Sequence, residues 1–227
     1  MPLGLNLLLA VAVLVASGAS AKMLERMQIK RYVILLFIFA AFIGSLLPSI
    51  QVSDNLLLNF GGSLLPFAFF IFLIIRIKGA KDKIWTLAAA FITATALFVF
   101  DKLVLQDMDT EEVIEPMYIS AFAGSVLANL LCRNYKSILA NAIFGIIGSG
   151  TITFIEENAV SGFAYMNFGS SAQFDCLVLS VFSSMLLARA VLLARQLWFR
   201  RAAKAFQKEY SIMQEEAPAK QEHTDAK

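Results

Sequence analysis

The apolar residues of this chain fall in seven long blocks, and that spacing limits its fold more than any other feature. The blocks are Leu3–Ser20, Tyr32–Ile50, Leu56–Ile77, Ile84–Phe100, Met117–Cys132, Ile138–Ile155 and Cys176–Leu197. A hydrocarbon core about 30 Å thick is crossed by about 20 apolar residues in a helix. In lipid every backbone N–H and C=O must be paired within the protein, which leaves helices or closed barrels. Barrel strands would alternate with a period of two, and these blocks are continuous. The fourth gains full length when extended to Leu105, which puts Asp101 and Lys102 near its outer end. The expected fold is therefore all-α: a polytopic transmembrane bundle of seven helices. Composition agrees, with 59% hydrophobic and 16% charged residues among 227, where a soluble domain carries about 25% charged. A single water-soluble globule, a disordered chain and a nucleic-acid binder with a broad basic face are all excluded.

The net charge of +2 becomes informative once it is sorted by loop. Lysine and arginine mark cytoplasmic connections, and here basic and acidic connections alternate. Lys22, Arg26, Lys30 and Arg31 fill the first, Arg76, Lys78, Lys81 and Lys83 the third, and Arg133 and Lys136 the fifth. The even connections carry Asp54, then Asp101 to Glu115, then Glu156, Glu157 and Asp175. Eighteen of the 19 basic residues fall on one face when the seventh block is followed by cytoplasm. This places the N-terminus outside and the C-terminus inside. The first block is expected to be a retained helix, because a cleaved signal carries its positive charge in front of the apolar run. Residues 1–197 form the transmembrane domain, 198–214 a basic amphipathic helical extension, and 215–227 a disordered charged tail. The expected location is a prokaryotic cell membrane.

Much chemistry is missing. The one histidine, His223, lies in the tail, and the two cysteines, Cys132 and Cys176, belong to opposite ends of the bundle. Neither zinc nor haem ligation is available at such spacing, and no cofactor is expected. The expected partners are membrane lipid, a small ion or solute, and a second copy of the chain, with no nucleic acid.

The outer carboxylates divide by helix polarity. Asp54, Glu115 and Asp175 precede or open helices, where an acid acts as a cap worth about 0.5–2 kcal/mol. Asp101, Glu156 and Glu157 are expected to close helices four and six, where the dipole repels negative charge. A second feature is Asn59-Phe60-Gly61-Gly62-Ser63-Leu64-Leu65-Pro66. Gly-Gly and a following proline weaken a helix, and broken helices build ion and substrate sites in transporters. The alternative is a helix that begins near Gly62 with Asn59 as its cap. The candidate ion or solute site comprises Asn59, Gly61, Gly62, Asp101, Glu156, Glu157 and Asp175. Helices four to six, rich in small residues, are the expected centre of the bundle. The phenylalanines of helices two and three are expected to face lipid.

Three motifs, Asn59-Phe60-Gly61-Gly62 with Pro66, Glu115-Pro116-Met117-Tyr118 and Gly169 through Phe174-Asp175, carry a resemblance. Over about Leu35 to Leu193 the chain resembles a family of prokaryotic multi-pass membrane proteins known only as a domain of unknown function. That family has more glycine at Ser170-Ser171, and usually Asp at Glu115. The resemblance implies a shared architecture and supplies no activity. Transport or binding of an ion or small solute is the leading reading. A structural or interaction role for the basic Trp198–Lys208 segment is the second. An intramembrane aspartyl protease using Asp101 and Asp175 is a remote third, since no Gly-x-Gly-Asp occurs.

Overall fold

The computed structural model describes residues 3–17, 25, 27–53, 55–105, 116–161 and 166–222. Asp54, Glu115, the acids between 107 and 112, and His223 lie outside these residues. The described chain is predominantly helical, with seven α-helices: α1 (Leu3–Ala16), α2 (Arg31–Leu46), α3 (Leu65–Arg76), α4 (Ala80–Phe100), α5 (Pro116–Leu131), α6 (Tyr135–Ser161) and α7 (Ser171–Glu222). Three helical stretches, Ala80–Leu103, Tyr135–Ser161 and Ser171–Gln196, are long and apolar enough to cross a membrane. Two compact units are present, Met1–Leu187 and Ala188–Lys227. In the second, Trp198 and Phe199 meet edge to face, and both rings are largely exposed.

Helix α2 stops earlier than hydropathy suggests. Pro48 pushes the residue before it out of helical geometry, and Leu47 accordingly adopts φ −78° and ψ 147°. The apolar residues beyond it are strands rather than helix. β1 (Ile50–Ser53) pairs antiparallel with β2 (Leu56–Leu58), with Ile50 opposite Leu58 and an irregularity between Gln51 and Ser53. β3 (Met166–Phe168) then joins β2 in parallel, Leu56 opposite Met166 and Leu58 opposite Phe168. The end of the second block and the start of the third therefore enter a small sheet, completed by β3 from the connection before α7, that the all-α expectation lacked. Short apolar runs carry no periodicity that separates strand from helix.

Helix α6 is the centre of the first unit and packs against α3, α4 and α5. It is buried from Ser137 to Ser149 apart from Phe144. Helices α4 and α6 lie side by side and parallel: Thr86 is bonded to Ser137, Thr93 faces Gly145, and Ala94 faces Gly148. A Cβ on Gly145 would lie 2.8 Å from Thr93 Cγ2, and one on Gly148 2.8 Å from Ala94 Cβ. Small residues thus allow the close approach that gives dispersion contact between helices in lipid. The expected central position of the fourth to sixth blocks agrees with this packing.

The phenylalanines are more varied than expected. Phe39 and Phe67 do face outward, but Phe70 is buried against Phe144, their ring centroids 4.8 Å apart. Phe37 packs on Phe69 and Phe72 and so joins α2 to α3. Around the first unit large apolar side chains point outward, among them Leu36, Ile75, Ile84, Phe122, Leu130 and Leu186. Inside lie Thr86, Thr93, Ser125, Asn141, Ser180 and Ser184, each at most 1% exposed. They share the interior with apolar side chains such as Leu73, Leu97 and Ile143.

The ends of the helices are pinned in two groups. At one end, Trp85 Nε1 donates to Leu131 O at 3.0 Å, and Lys136 Nζ donates to Arg76 O at 3.0 Å. These bonds satisfy the last carbonyls of α5 and α3, which lack donors within their own helices. At the other end, the start of α3 meets the start of α7, and the end of α4 meets the start of α5.

Candidate functional site

The Asn59-Gly61-Gly62 motif is not a break within a spanning helix. Asn59 is the cap of a single π-helical turn, Phe60–Leu64, that leads directly into α3. Its Oδ1 accepts from Gly61 N and Gly62 N, both at 3.0 Å, and its backbone O accepts from Leu64 N at 3.4 Å. The side chain thereby pairs N–H groups that the start of a helix leaves open. Asn59 N also donates to Phe168 O at 2.8 Å, which extends the β2–β3 ladder by one bond. The glycines serve contact. A Cβ on Gly61 would lie 2.5 Å from Gly44 C and 2.6 Å from Ala41 O, so the turn rests on the backbone of α2. A Cβ on Gly62 would lie 2.6 Å from Gly169 Cα. Gly169 itself has φ +80°, a conformation that L side chains rarely adopt. Two of the sequence motifs, Asn59-Phe60-Gly61-Gly62 and the one that begins at Gly169, thus meet backbone to backbone.

At the end of α4, Asp101 begins a π-helical turn, Asp101–Leu105. Its Oδ1 accepts a short hydrogen bond from Ser120 Oγ on α5. The adjacent Lys102 forms an ion pair with Glu156 Oε2 at 2.6 Å, with both side chains a little over a third exposed. Lys102 also lies over the Phe98 ring, 5.9 Å from its centroid. One basic residue and two acids therefore join the ends of α4, α5 and α6. Glu156 and Glu157 do not close α6, as expected from the sequence, because the helix continues to Ser161. The apolar block ended at Ile155, yet nothing in Glu156 to Ser161 breaks a helix. Glu157 is exposed, and its carbonyl accepts from Ser161 Oγ at 2.6 Å.

Asp175 was expected to cap its own helix, but α7 begins earlier, at Ser171. Ser170 takes the cap position, its O accepting from Phe174 N at 2.9 Å. Asp175 is 5% exposed, and its Oδ1 accepts from Gly4 N at 2.8 Å. Gly4 is the second residue of α1, so Asp175 caps a different helix across 171 positions of sequence. A Cβ on Gly4 would lie 2.7 Å from Asp175 Cα, which explains glycine there. The neighbouring Cys176 is buried as well.

The seven sequence candidates therefore divide into three arrangements. Asn59, Gly61 and Gly62 build the junction of the sheet with α2, α3 and α7. Asp101 is bonded to Ser120 and the adjacent Lys102 is paired with Glu156, while Glu157 stands outside both pairs. Asp175 secures α1. Sequence reasoning missed Gly4, Gly44 and Gly169 as contact points and Ser120 as the partner of Asp101. Ser120 begins a file at helical spacing, Ser120, Gly124, Ala128 and Cys132, and that period was the signal available. No protein-family model, curated protein or solved structure matches the chain.

Proposed function

We propose that this is a multi-pass membrane protein of a prokaryotic cell membrane that binds and carries an ion or small solute through its bundle. In this reading all seven helices span, with the N-terminus outside and the C-terminus in the cytoplasm. The observation that carries it is the pair of polar links, Asp101 to Ser120 and Lys102 to Glu156, that join α4 to α5 and to α6 near one end of the bundle. Asp101 and Lys102 fall within the apolar stretch Ala80–Leu103 and Glu156 within Tyr135–Ser161, and ionisable groups in such stretches are costly and mark ion or proton pathways. Sorting of charge supports the orientation: Arg76 and Lys136 meet at one end of the helices, and the carboxylates gather at the other. A helix of 16 residues such as α2 or α5 reaches about 24 Å, and local thinning accommodates a span of that length.

The test is uptake of Na⁺, K⁺ or protons by vesicles reconstituted with the full chain. Asp101→Asn is expected to abolish flux while protein yield and melting behaviour stay close to wild type. Absence of flux in the wild type, or unchanged flux in Asp101→Asn, overturns the transport reading.

The second reading is an interaction protein that grips anionic lipid or a partner through the basic segment after Leu197. The outward Trp198 and Phe199 rings favour it, because aromatic side chains next to basic ones anchor at membrane interfaces. Removing residues 198–227 would then remove lipid binding and leave any flux intact. The protease reading has least support, since Asp101 and Asp175 are bonded to different elements, Ser120 and Gly4.

A further inference from the structure

Four helix ends meet at one level, at the end of the bundle away from Asp101 and Glu156. Helices α4 and α6 lie side by side with Thr86 bonded to Ser137, so Trp85 and Lys136, the residues before them, stand at the same level. Trp85 Nε1 holds the carbonyl of Leu131, the last residue of α5, and Lys136 Nζ holds that of Arg76, the last residue of α3, each at 3.0 Å. The α3–α4 and α5–α6 connections are thereby fixed next to each other. They and the adjoining helix ends carry Arg76, Lys78, Lys81, Lys83, Arg133 and Lys136 against a single acid, Asp82. Among the described residues none of these cations forms an ion pair with a carboxylate.

Positive charge alone says little, since cytoplasmic loops collect it. What lies directly beneath it narrows the partner. Ile75, Ile84, Trp85 and Leu130 stand within one turn of the cations, and each is more than half exposed. The Trp85 ring is open to its surroundings while its N–H is engaged, as suits an aromatic residue at a membrane interface. A cationic layer over an apolar collar complements a phospholipid, whose phosphate sits above its acyl chains. A free anion, or an acidic macromolecule in water, would meet the charge and leave the collar unused. Lys136 is the fixed point of the layer. It is half-buried, and its bond to Arg76 O uses one N–H donor and leaves the others for a phosphate oxygen. The Arg76 guanidinium lies over the Phe72 ring, 5.4 Å from its centroid, while Lys78 and Arg133 are exposed.

We propose that this end of the bundle docks the headgroup of an anionic phospholipid: Lys136 donates to the phosphate, Arg76, Lys78 and Arg133 balance its charge, and the acyl chains lie against the apolar collar. Hydrogen bonds between a cation and a phosphate are shorter and stronger than neutral ones, and basic groups between helix ends suit such headgroups. The inference goes beyond transport and does not involve the segment after Leu197. It rests on the reading that the chain spans a membrane.

Trp85 reports on the site. In the full chain Trp198→Phe leaves it as the only tryptophan. The protein is reconstituted in vesicles of dibrominated phosphatidylcholine, whose bromine quenches an indole it touches, and unbrominated phosphatidylglycerol is substituted stepwise. A preference of about tenfold for the anionic lipid, a little over the contribution of one surface cation, puts half-recovery of fluorescence at a mole fraction of about 0.1. Lys78→Gln and Arg133→Gln alter exposed side chains and should each lower the preference about fivefold without affecting folding. Lys136→Met should lower it at least as much, and Lys136→Arg, which keeps the charge, should retain most of it. Replacing chloride by inorganic phosphate at constant ionic strength should leave the preference unchanged. Half-recovery near equal fractions in this background, or an undiminished preference in Lys78→Gln, Arg133→Gln and Lys136→Met, overturns the lipid site and spares the spanning reading. Loss of the preference in phosphate, or in Arg200→Gln with Arg201→Gln instead, also overturns it, assigning the charge to a free anion or to the tail. No quenching of Trp85 by the brominated lipid would overturn the spanning reading at this end as well.

Discussion

Replacing Gly169 with alanine separates two costs that the junction of β3, α3 and α7 imposes. The first is conformational: φ +80° at this position costs an L residue about 1–2 kcal/mol. The second is crowding, because the new Cβ would lie 2.6 Å from Gly62 C and Ser63 N. Both are backbone atoms and cannot swing aside as a flexible side chain would, so an overpacking cost of about 1–3 kcal/mol is expected. Gly79 supplies the control. Its φ is +90°, but its Cβ would meet only Asp82 Oδ2, at 4.0 Å. Gly79→Ala should therefore incur the conformational cost alone. Thermal unfolding in one detergent, followed by circular dichroism, measures the difference. Gly169→Ala should melt about 2–12 °C below Gly79→Ala, as expected for about 1–3 kcal/mol in a chain of this size. Equal melting temperatures would refute the claim that the two glycines of the junction touch backbone to backbone.

Asn59→Ala removes the acceptor for Gly61 N and Gly62 N and should destabilise the protein by about 0.5–2 kcal/mol; Asn59→Asp, which keeps that acceptor, should recover most of it on the same melt. Asp175→Ala leaves Gly4 N without its charged partner, at a cost of about 1.5–3 kcal/mol. Limited proteolysis should then cut α1 selectively. Lys102→Met and Glu156→Gln break an ion pair that is more than a third exposed, and stability should change by less than about 1 kcal/mol. A double-mutant cycle on that pair checks the value.

Hydropathy made the helices legible, since each of the seven blocks overlaps one of the seven α-helices in the described residues, although several helices begin before their block or run past it. What it could not separate was helix from strand at Ile50–Ser53 and Leu56–Leu58, where the apolar runs are shorter than two helical turns. Pro48 held the missing information, because it forbids helix at Leu47. The acids were placed by charge and helix polarity, which found Asp101 and Glu156 but not their partners. Ser120 and Gly4 are neutral and distant in sequence, and hydropathy gives such residues no weight. Asp175 shows the limit most clearly. A carboxylate near a helix start reads as a cap for that helix, and only the packing of α1 against the bundle reveals that it caps another.

Side-specific labelling tests the central claim, that the carboxylate end of a membrane-spanning bundle faces outward, most directly. In a background with Cys132 and Cys176 replaced by alanine, Glu157→Cys and Lys81→Cys each place a thiol at an exposed position, at opposite ends of α6 and α4. An impermeant maleimide added to intact cells should label Glu157→Cys within minutes and reach Lys81→Cys only after permeabilisation. Labelling of both positions on intact cells, or of Lys81→Cys alone, would contradict it.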